Sequence, residues 1–211
     1  KDKIAYLEKE LDQLSRAHQE RRSKRIKSGI PIVSIVGYTN AGKSTLLNAL
    51  TESHVQTQDL LFATLDTTTR RLRFPQEREI IITDTVGFIQ DLPPDLLGAF
   101  RPTLDELRDA DLLIHLVDVS HPHFEHQMEA VDRILGDLEL PHIPRLLVFN
   151  KEDRMDSVVI KNLCRLYGAI SVSALHPESL PKLTSAIEER LWSPKASLEA
   201  PHLSLQPGKS L

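Results

Sequence analysis

A short glycine-bearing segment, Gly37–Ser44, follows a run of β-branched residues and precedes a helical pattern. The run Ile30–Val36 is typical of a buried strand, and Ser44–Leu50 is typical of the first turns of a helix. The segment fits the pattern G-x-x-x-x-G-K-[ST], in which backbone N–H groups surround phosphate oxygens at a helix N-terminus. Strand, glycine loop and helix in this order predict a phosphate-binding P-loop.

Two side chains of this loop carry specific expectations. The Lys43 ammonium is expected to reach the β- and γ-phosphates of a nucleotide, and the Ser44 hydroxyl is expected to bind Mg²⁺. The nucleotide-binding residues predicted from the loop and the residue after it are Gly37, Tyr38, Thr39, Asn40, Ala41, Gly42, Lys43, Ser44 and Thr45.

The rest of the chain alternates between apolar strand candidates and helical patterns, which favours parallel βαβ units with helices on both sheet faces. The strand candidates are Glu79–Thr83, Leu112–Val119, Arg145–Phe149 and Ala169–Val172, and the helical patterns are Glu125–Leu138, Val158–Tyr167 and Leu180–Trp192. Arg70–Phe74 is expected to pair antiparallel with Glu79–Thr83 in a hairpin that turns near Pro75. His115 falls within a buried strand and is expected to be a hydrogen-bonded core residue.

A second motif, Asp84–Gly87, follows the strand candidate Glu79–Thr83. A carboxylate at Asp84 can approach the Mg²⁺ shell from the side opposite the P-loop, and Gly87 lets the backbone approach a γ-phosphate. The pattern D-x-x-G is common, so its weight here comes from its position downstream of the P-loop.

A third motif, Asn150–Asp153, predicts which base is bound. The Asp153 carboxylate can accept hydrogen bonds from N1–H and the exocyclic amine of guanine, and adenine offers no such pair. Ser173 and Ala174 end the last strand candidate, where the Ala174 N–H could meet the guanine O6. Asn150, Lys151, Asp153, Ser173 and Ala174 are the predicted base-side residues. Motifs in this order at strand ends predict a Ras-like P-loop domain that binds GTP and GDP.

Four strings of residues resemble HflX-type GTPases over about residues 1–192. They are Gly37–Thr45, Leu61–Asp66, Asp84–Ile89 and Phe100–Leu104. The resemblance implies hydrolysis of GTP with Mg²⁺, association with the large ribosomal subunit and its rRNA, and a role in splitting stalled ribosomes. It also implies a cytoplasmic protein with an N-terminal domain before residue 1.

The resemblance places nucleotide contacts at Phe62, Ala63 and Thr64. Thr64 is the preferred threonine for binding Mg²⁺ in the GTP state, and Thr67 and Thr68 are alternatives. At Thr67 the chain departs from the family, which usually has proline there, and losing the fixed φ of proline could loosen this segment.

Catalysis is predicted to rely on Lys43, Thr64, Gly87 and Asn40. The residue after Gly87 is Phe88, and its phenyl ring cannot orient a water molecule as the glutamine of many small GTPases does. Asn40 occupies the position at which potassium-assisted GTPases hold K⁺, although it could equally be a turn residue. The intrinsic turnover is therefore expected to be slow.

Charge and composition limit the kinds of ligand and partner that the chain is expected to bind. Lys and Arg number 26 against 30 Asp and Glu, so the net charge of −4 gives no argument for DNA binding. The segment 16–27, however, holds six Lys or Arg and one Glu, which favours contact with rRNA phosphates, with a solvated helix face as the alternative. Cys164 is the one cysteine, which excludes an internal disulfide and favours a packing role. The nine histidines do not predict a metal site, and we expect a monomer that does not bind membranes.

The predicted boundaries are a helical linker at 1–28, a GTPase domain at 29–192 and a flexible tail at 193–211. Two alternative functions remain open from the sequence. One is a nucleotide-gated binding module with negligible hydrolysis, which the Phe88 position favours. The other is an RNA-maturation GTPase related to Era or TrmE, although neither a KH domain nor a TrmE-type N-terminal domain is visible.

Overall fold

A computed structural model describes residues 29–51, 68–74, 77–84, 106–140 and 142–193. Among these residues six strands form one sheet in the order β2-β3-β1-β4-β5-β6. The strands are β1 (Ile32–Gly37), β2 (Thr68–Arg73), β3 (Glu79–Asp84), β4 (Leu112–Asp118), β5 (Arg145–Asn150) and β6 (Ile170–Ser171). β2 runs antiparallel to β3, and every other pair is parallel.

Four α-helices lie in the described part of the chain. They are α1 (Lys43–Thr51), α2 (Phe124–Asp137), α3 (Ser157–Tyr167) and α4 (Pro181–Trp192). Asp156 caps α3, because its carboxylate accepts hydrogen bonds from the Val158 and Val159 amides. Gly168 ends α3 in the left-handed conformation, with φ of 63°.

The helices cover both faces of the sheet because alternate residues of each strand point to opposite sides. On one face Val33 and Ile35 of β1 belong to a core that also contains Leu46 of α1 and Leu183 of α4. On the other face Val36 of β1 packs in a core with Val131 of α2. A third cluster joins β4 and β5 to Ile160 of α3. The predicted mostly parallel sheet with helices on both faces is therefore confirmed.

The strand and helix predictions agree with these bounds to within about one or two residues at most ends. The predicted hairpin forms between β2 and β3, and the Phe74 N–H closes it by donating to the Arg78 carbonyl at 2.8 Å. The expected strand Ala169–Val172 is shorter in the structure, where β6 spans Ile170–Ser171. The helical linker predicted for 1–28 lies outside the described residues. So does the flexible tail predicted for 193–211, apart from its first residue.

The expectation for His115 was wrong in one respect. The residue is buried in β4, but its Nε2 atom has no hydrogen-bond partner among the described residues. Its Nδ1 atom lies 3.9 Å from the Asp132 carboxylate. Burial lowers the pKa of His115 to about 4, with Asp132 opposing the shift and Arg145 adding to it. The neutral imidazole is the favoured form in this core, because an imidazolium would lose more hydration free energy on burial.

No helix in the described ranges is long and apolar enough to cross a membrane.

Candidate functional site

The candidate site lies at the edge of the sheet where four neighbouring parallel strands end. β1 ends at Gly37, β3 at Asp84, β4 at Asp118 and β5 at Asn150. Ligands of open α/β sheets bind outside the carboxyl ends of the strands, so the three motifs meet where a ligand is expected.

The loop Gly37–Ser44, called here the phosphate loop, needs glycine at two positions because other backbones and side chains approach closely. A Cβ atom at Gly37 would lie 2.2 Å from the Leu116 carbonyl oxygen of β4. A Cβ atom at Gly42 would lie 2.3 Å from the Asn150 Nδ2 atom, and Gly42 also has φ of 94°. Both glycines are thus required by packing against the adjoining strands, independently of any ligand.

Lys43 begins α1 and is buried, with 7% of its surface exposed. Its ammonium donates to the carbonyls of Gly37 at 3.3 Å and Tyr38 at 3.1 Å, so it lies inside the curve of the phosphate loop. Burial lowers the pKa of Lys43 to about 8, and the Asp84 carboxylate opposes the shift. Below that pH the loop therefore encloses a positive charge with little hydration, which suits a phosphate group.

Ser44 and Asp84 bring oxygen ligands together from two different elements. The Ser44 hydroxyl donates to the Asp84 Oδ2 atom at 2.5 Å. Asp84 is 1% exposed at the end of β3. Mg²⁺ prefers hard oxygen ligands, so a hydroxyl and a carboxylate meeting beside a lysine-bearing loop fit this ion.

The loop Asn150–Asp153, called here the base loop, is joined to the phosphate loop through Asn150. The Asn150 amide donates to the Ala41 carbonyl at 2.8 Å and accepts from the Ala174 N–H at 3.0 Å. The side chain is buried, so both bonds are shielded from water. One amide therefore holds three loops that are far apart in sequence.

Lys151 makes a second connection between the two loops. Its ammonium donates to the Asn40 carbonyl at 3.0 Å and to the Asp118 Oδ2 atom at 2.6 Å. Lys151 and Asn40 both have left-handed backbones, with φ of 65° and 62°.

Asp153 and its neighbour Glu152 face different surroundings. Asp153 is exposed in a short 3₁₀ turn, Glu152–Arg154, where a carboxylate can meet an incoming base. Glu152 instead accepts from the Ser171 hydroxyl and the Lys182 ammonium, which attaches the base loop to β6 and α4.

Ser173 and Ala174 follow β6 and are joined to the base loop through Asn150. Ser173 is buried, and its hydroxyl has no hydrogen-bond partner among the described residues. The Ala174 N–H, which the sequence assigns to the guanine O6, donates to the side-chain Oδ1 atom of Asn150 in the structure. The contact with O6 stays a prediction.

The structure brings together the predicted site residues of the phosphate loop, Thr45, Asp84, the base loop and the Ser173–Ala174 segment. Phe62, Ala63, Thr64 and Gly87 lie outside the described residues, as do Thr67 and Phe88. Thr68, an alternative to Thr64, is the first residue of β2 and pairs with Asp84 in the β2–β3 ladder. The choice among the threonines therefore stays open.

Asp118 is a site residue that the sequence reasoning missed. It lies at the end of β4, and its Oδ1 atom accepts from the Ser120 N–H at 3.1 Å and hydroxyl at 2.6 Å. Two sequence signals could have identified it: its position at the end of a strand between two motif-bearing strands, and the Asp-x-Ser spacing typical of a side-chain turn.

A family profile described as "50S ribosome-binding GTPase" matches residues 32–151, which contain the phosphate loop and the first two residues of the base loop. The chain belongs to this GTPase family. The resemblance to HflX-type GTPases is also confirmed. The GTPase HflX of Caldanaerobacter subterraneus subsp. tengcongensis is 45% identical over 91% of this chain and 44% of its own length. The GTPase HflX of Escherichia coli is 39% identical over 90% of this chain and 46% of its own length.

Solved structures of other GTPases share the fold. An Aquifex aeolicus Era variant bound to GDP and AlF4⁻ is 25% identical, with a TM-score of 0.60 over 75% of this chain and 56% of its own. A Sulfolobus solfataricus GTP-binding protein in complex with GDP is 25% identical, with a TM-score of 0.57 over 88% of this chain and 61% of its own. The predicted Ras-like GTPase fold is confirmed.

The chain spans about half the length of the HflX relatives it matches. The family membership therefore applies to the GTPase region.

Proposed function

We propose that this chain binds GTP and GDP with Mg²⁺ and hydrolyses GTP. The observation that carries the proposal is the meeting of a lysine-bearing phosphate loop with a base loop of the N-K-x-D type at one sheet edge, through Asn150 and Lys151. The Sulfolobus and Era structures were obtained with guanine nucleotides, which agrees with this proposal.

Each side of the site has a separate task. Lys43 supplies positive charge to the β- and γ-phosphates, and Asp153 accepts hydrogen bonds from the guanine edge. Ser44 and Asp84 are the described residues that would hold Mg²⁺, together with a threonine of 64–68. When bound, the ion neutralises charge on the phosphate oxygens. Hydrolysis by the chain alone is expected to be slow, because Phe88 cannot orient water.

Guanine-selective binding is the direct test. The 211-residue chain is titrated with GDP and with ADP in the presence of Mg²⁺ by calorimetry. We expect saturable binding of GDP and little binding of ADP, because Asp153 would be left unpaired against adenine. Equal affinities for the two nucleotides would contradict the base-side assignment, and binding of neither would contradict the whole proposal.

We further propose association with the large ribosomal subunit. The family description and the HflX relatives support it, and so does the basic segment 16–27, which suits rRNA phosphates. The proposal includes a cytoplasmic location and, for the longer protein, a role in separating stalled ribosomal subunits.

A second candidate is contact with small-subunit rRNA. An Era structure that is 25% identical to this chain, with a TM-score of 0.60, was solved with nucleotides 1506–1542 of 16S ribosomal RNA. Cosedimentation of the 211-residue chain with separated subunits, each with GDP or a non-hydrolysable GTP analogue, discriminates between the two. Binding to the large subunit supports the first candidate, and binding confined to the small subunit supports the second.

A variant with glutamine at the six basic positions of 16–27 tests the rRNA contact. We expect weaker cosedimentation and a shallower dependence on salt, since fewer counterions are released on binding. Guanine-nucleotide affinity of the same variant serves as the control. Unchanged cosedimentation over a range of salt concentrations would contradict the rRNA contact and favour the alternative, a solvated helix face.

A further inference from the structure

Asp118 is the charged residue at the end of β4, between the strand that leads into the phosphate loop and the strand that leads into the base loop. Its side chain is 13% exposed, and both of its oxygen atoms are engaged. Oδ1 accepts from the Ser120 N–H and hydroxyl, and Oδ2 accepts from Lys151. The Ser120 turn thus fixes the orientation in which the carboxylate meets the lysine.

Lys151, which pairs with Asp118, connects two residues with left-handed backbones. Lys151 has φ of 65°, and the carbonyl that it contacts belongs to Asn40, with φ of 62°. A left-handed backbone costs about 1–2 kcal/mol for most residues with a Cβ atom, and asparagine adopts it more readily than lysine, so the conformation of Lys151 is the one that needs support. The contacts of its ammonium with Asp118 and the Asn40 carbonyl supply that support and join the two loops.

We propose that Asp118 is a positioning residue for guanine-nucleotide binding. By fixing the Lys151 ammonium against the Asn40 carbonyl, Asp118 holds the base loop and the phosphate loop in one mutual arrangement before the nucleotide arrives. A site already in its bound arrangement loses less conformational freedom on binding, so its complex is tighter and longer-lived. This inference rests on the proposed function, because it concerns the same nucleotide site.

The ion pair is placed where it can have this effect. The Lys151 side chain is 24% exposed and the Asp118 side chain 13%, and the two atoms are 2.6 Å apart. Partial burial reduces solvent screening, so the pair is worth more than an exposed surface pair.

A second lysine–carboxylate pair in the same loop provides a matched control. Glu152 pairs with Lys182 of α4 at 2.9 Å, and the Lys182 side chain is 45% exposed. This pair attaches the base loop to α4 and has no contact with the phosphate loop among the described residues. Lys182→Met therefore removes an ion pair from the base loop without touching the Asp118–Lys151–Asn40 connection.

The experiment measures how fast fluorescently labelled GDP leaves the 211-residue chain when unlabelled GDP is added in excess. We expect Asp118→Asn and Asp118→Ala to release labelled GDP about tenfold faster than the parent, a loss at the low end for one hydrogen bond to a charged group. In the parent, one carboxylate oxygen accepts from Ser120 and the other accepts from Lys151. Asparagine has an NH₂ group in place of one of these oxygens, so one of the two partners loses its acceptor. Lys182→Met is expected to release GDP at the parent rate.

Two further variants separate positioning from a general loss of structure. Lys151→Met should accelerate release to a similar extent, and the double variant Asp118→Asn/Lys151→Met should be no faster than Lys151→Met alone, since Asp118 acts through Lys151. The preference for GDP over ADP should be unchanged in Asp118→Asn, because Asp153 still meets the base. Thermal unfolding without nucleotide checks that Asp118→Asn is folded.

Parent-like release from both Asp118 variants overturns the inference, as does equal acceleration in Lys182→Met or an additive effect in the double variant. If the parent binds GDP and the Asp118 variants behave as expected, both the inference and the nucleotide site are supported. If the parent binds no labelled GDP, the proposed function fails, and the inference fails with it.

Discussion

The phosphate loop and the base loop lie side by side but are held in different ways. The phosphate loop is eight contiguous residues, and its curve is set by backbone: two glycines, the N-terminus of α1 and a lysine bonded to the loop's own carbonyls. The base loop is held by side chains that reach to β4, β6, α4 and the phosphate loop itself.

This difference distinguishes contacts within one loop from contacts between elements that are distant in sequence, both of which shape the same site. Replacing Lys43 should act mainly on phosphate binding, because Asn150 and Lys151 hold this loop through backbone carbonyls that the substitution leaves in place. Substitutions in the base loop should divide into those that unfold the site, at Asn150, and those that change only which base is bound, at Asp153. The following predictions test this division, from the largest expected effect to the smallest.

Asn150→Ala should lower the free energy of unfolding by about 2–5 kcal/mol, because it leaves the Ala41 carbonyl and the Ala174 N–H without their buried partner. Urea denaturation without nucleotide measures the effect. Asp153→Ala is the control, and since that residue is exposed its effect should stay within about 0.5 kcal/mol. If the two variants unfolded alike, the base loop would not be held by Asn150.

Lys43→Ala should weaken GTP binding by about 2–3 kcal/mol, since it removes the charged hydrogen-bond donor inside the phosphate loop. Calorimetric titration with GTP and Mg²⁺ measures the loss, and Lys182→Ala is a control lysine outside the loop. An unchanged affinity in Lys43→Ala would contradict the assignment of this loop to phosphate.

Asp153→Asn should move the preference from guanosine toward xanthosine nucleotides, because an amide can donate to the 2-oxo group of xanthine. We expect the ratio of the two affinities to change by about tenfold or more, the effect of repairing one mispaired polar contact. Competition between GDP and XDP measures the ratio. A variant that still prefers GDP as strongly as the parent would show that another residue reads the base.

His115 lies in the middle of β4, outside both loops, and its burial predicts a pH dependence of stability. Its pKa is about 4 when folded and near 6.5 when unfolded, so between these values the unfolded chain binds the extra proton. As the pH falls from 6.5 to 4 the parent should therefore lose about 2–3 kcal/mol relative to His115→Leu. Urea denaturation of both chains across this range measures the difference, and parallel curves would contradict it.

Asn40 is expected to have the smallest effect. If its amide helps to hold K⁺ at the phosphates, GTP turnover should be a few times faster in KCl than in NaCl at equal ionic strength, far below the roughly 10³-fold effect of an arginine finger. Asn40→Gly removes the amide and still tolerates the φ of 62°, so it should erase the difference without straining the loop. Equal rates of the parent in the two salts would leave Asn40 as a turn residue.

Much of the fold was predictable because its signals are local. Short apolar runs identified the buried strands, helical periodicity identified α2, α3 and α4, and the pattern of Gly37–Ser44 identified the phosphate loop. The short β6 was not predicted, nor was the lack of a partner for the His115 Nε2 atom within the described residues, because strand pairing and buried hydrogen bonds depend on neighbours that are distant in sequence.

The sequence by itself determined the identity of the motifs, their order and the type of base they suit, because each motif is a contiguous string whose chemistry follows from its residue types. Only the tertiary structure decided how the motifs are joined. Asp118 entered the site because β4 lies between β1 and β5, and Asn150 became a link among three loops because the strand ends converge. The physical reason is that hydrogen bonds form between groups that the sheet brings within about 3 Å, whatever their separation along the chain.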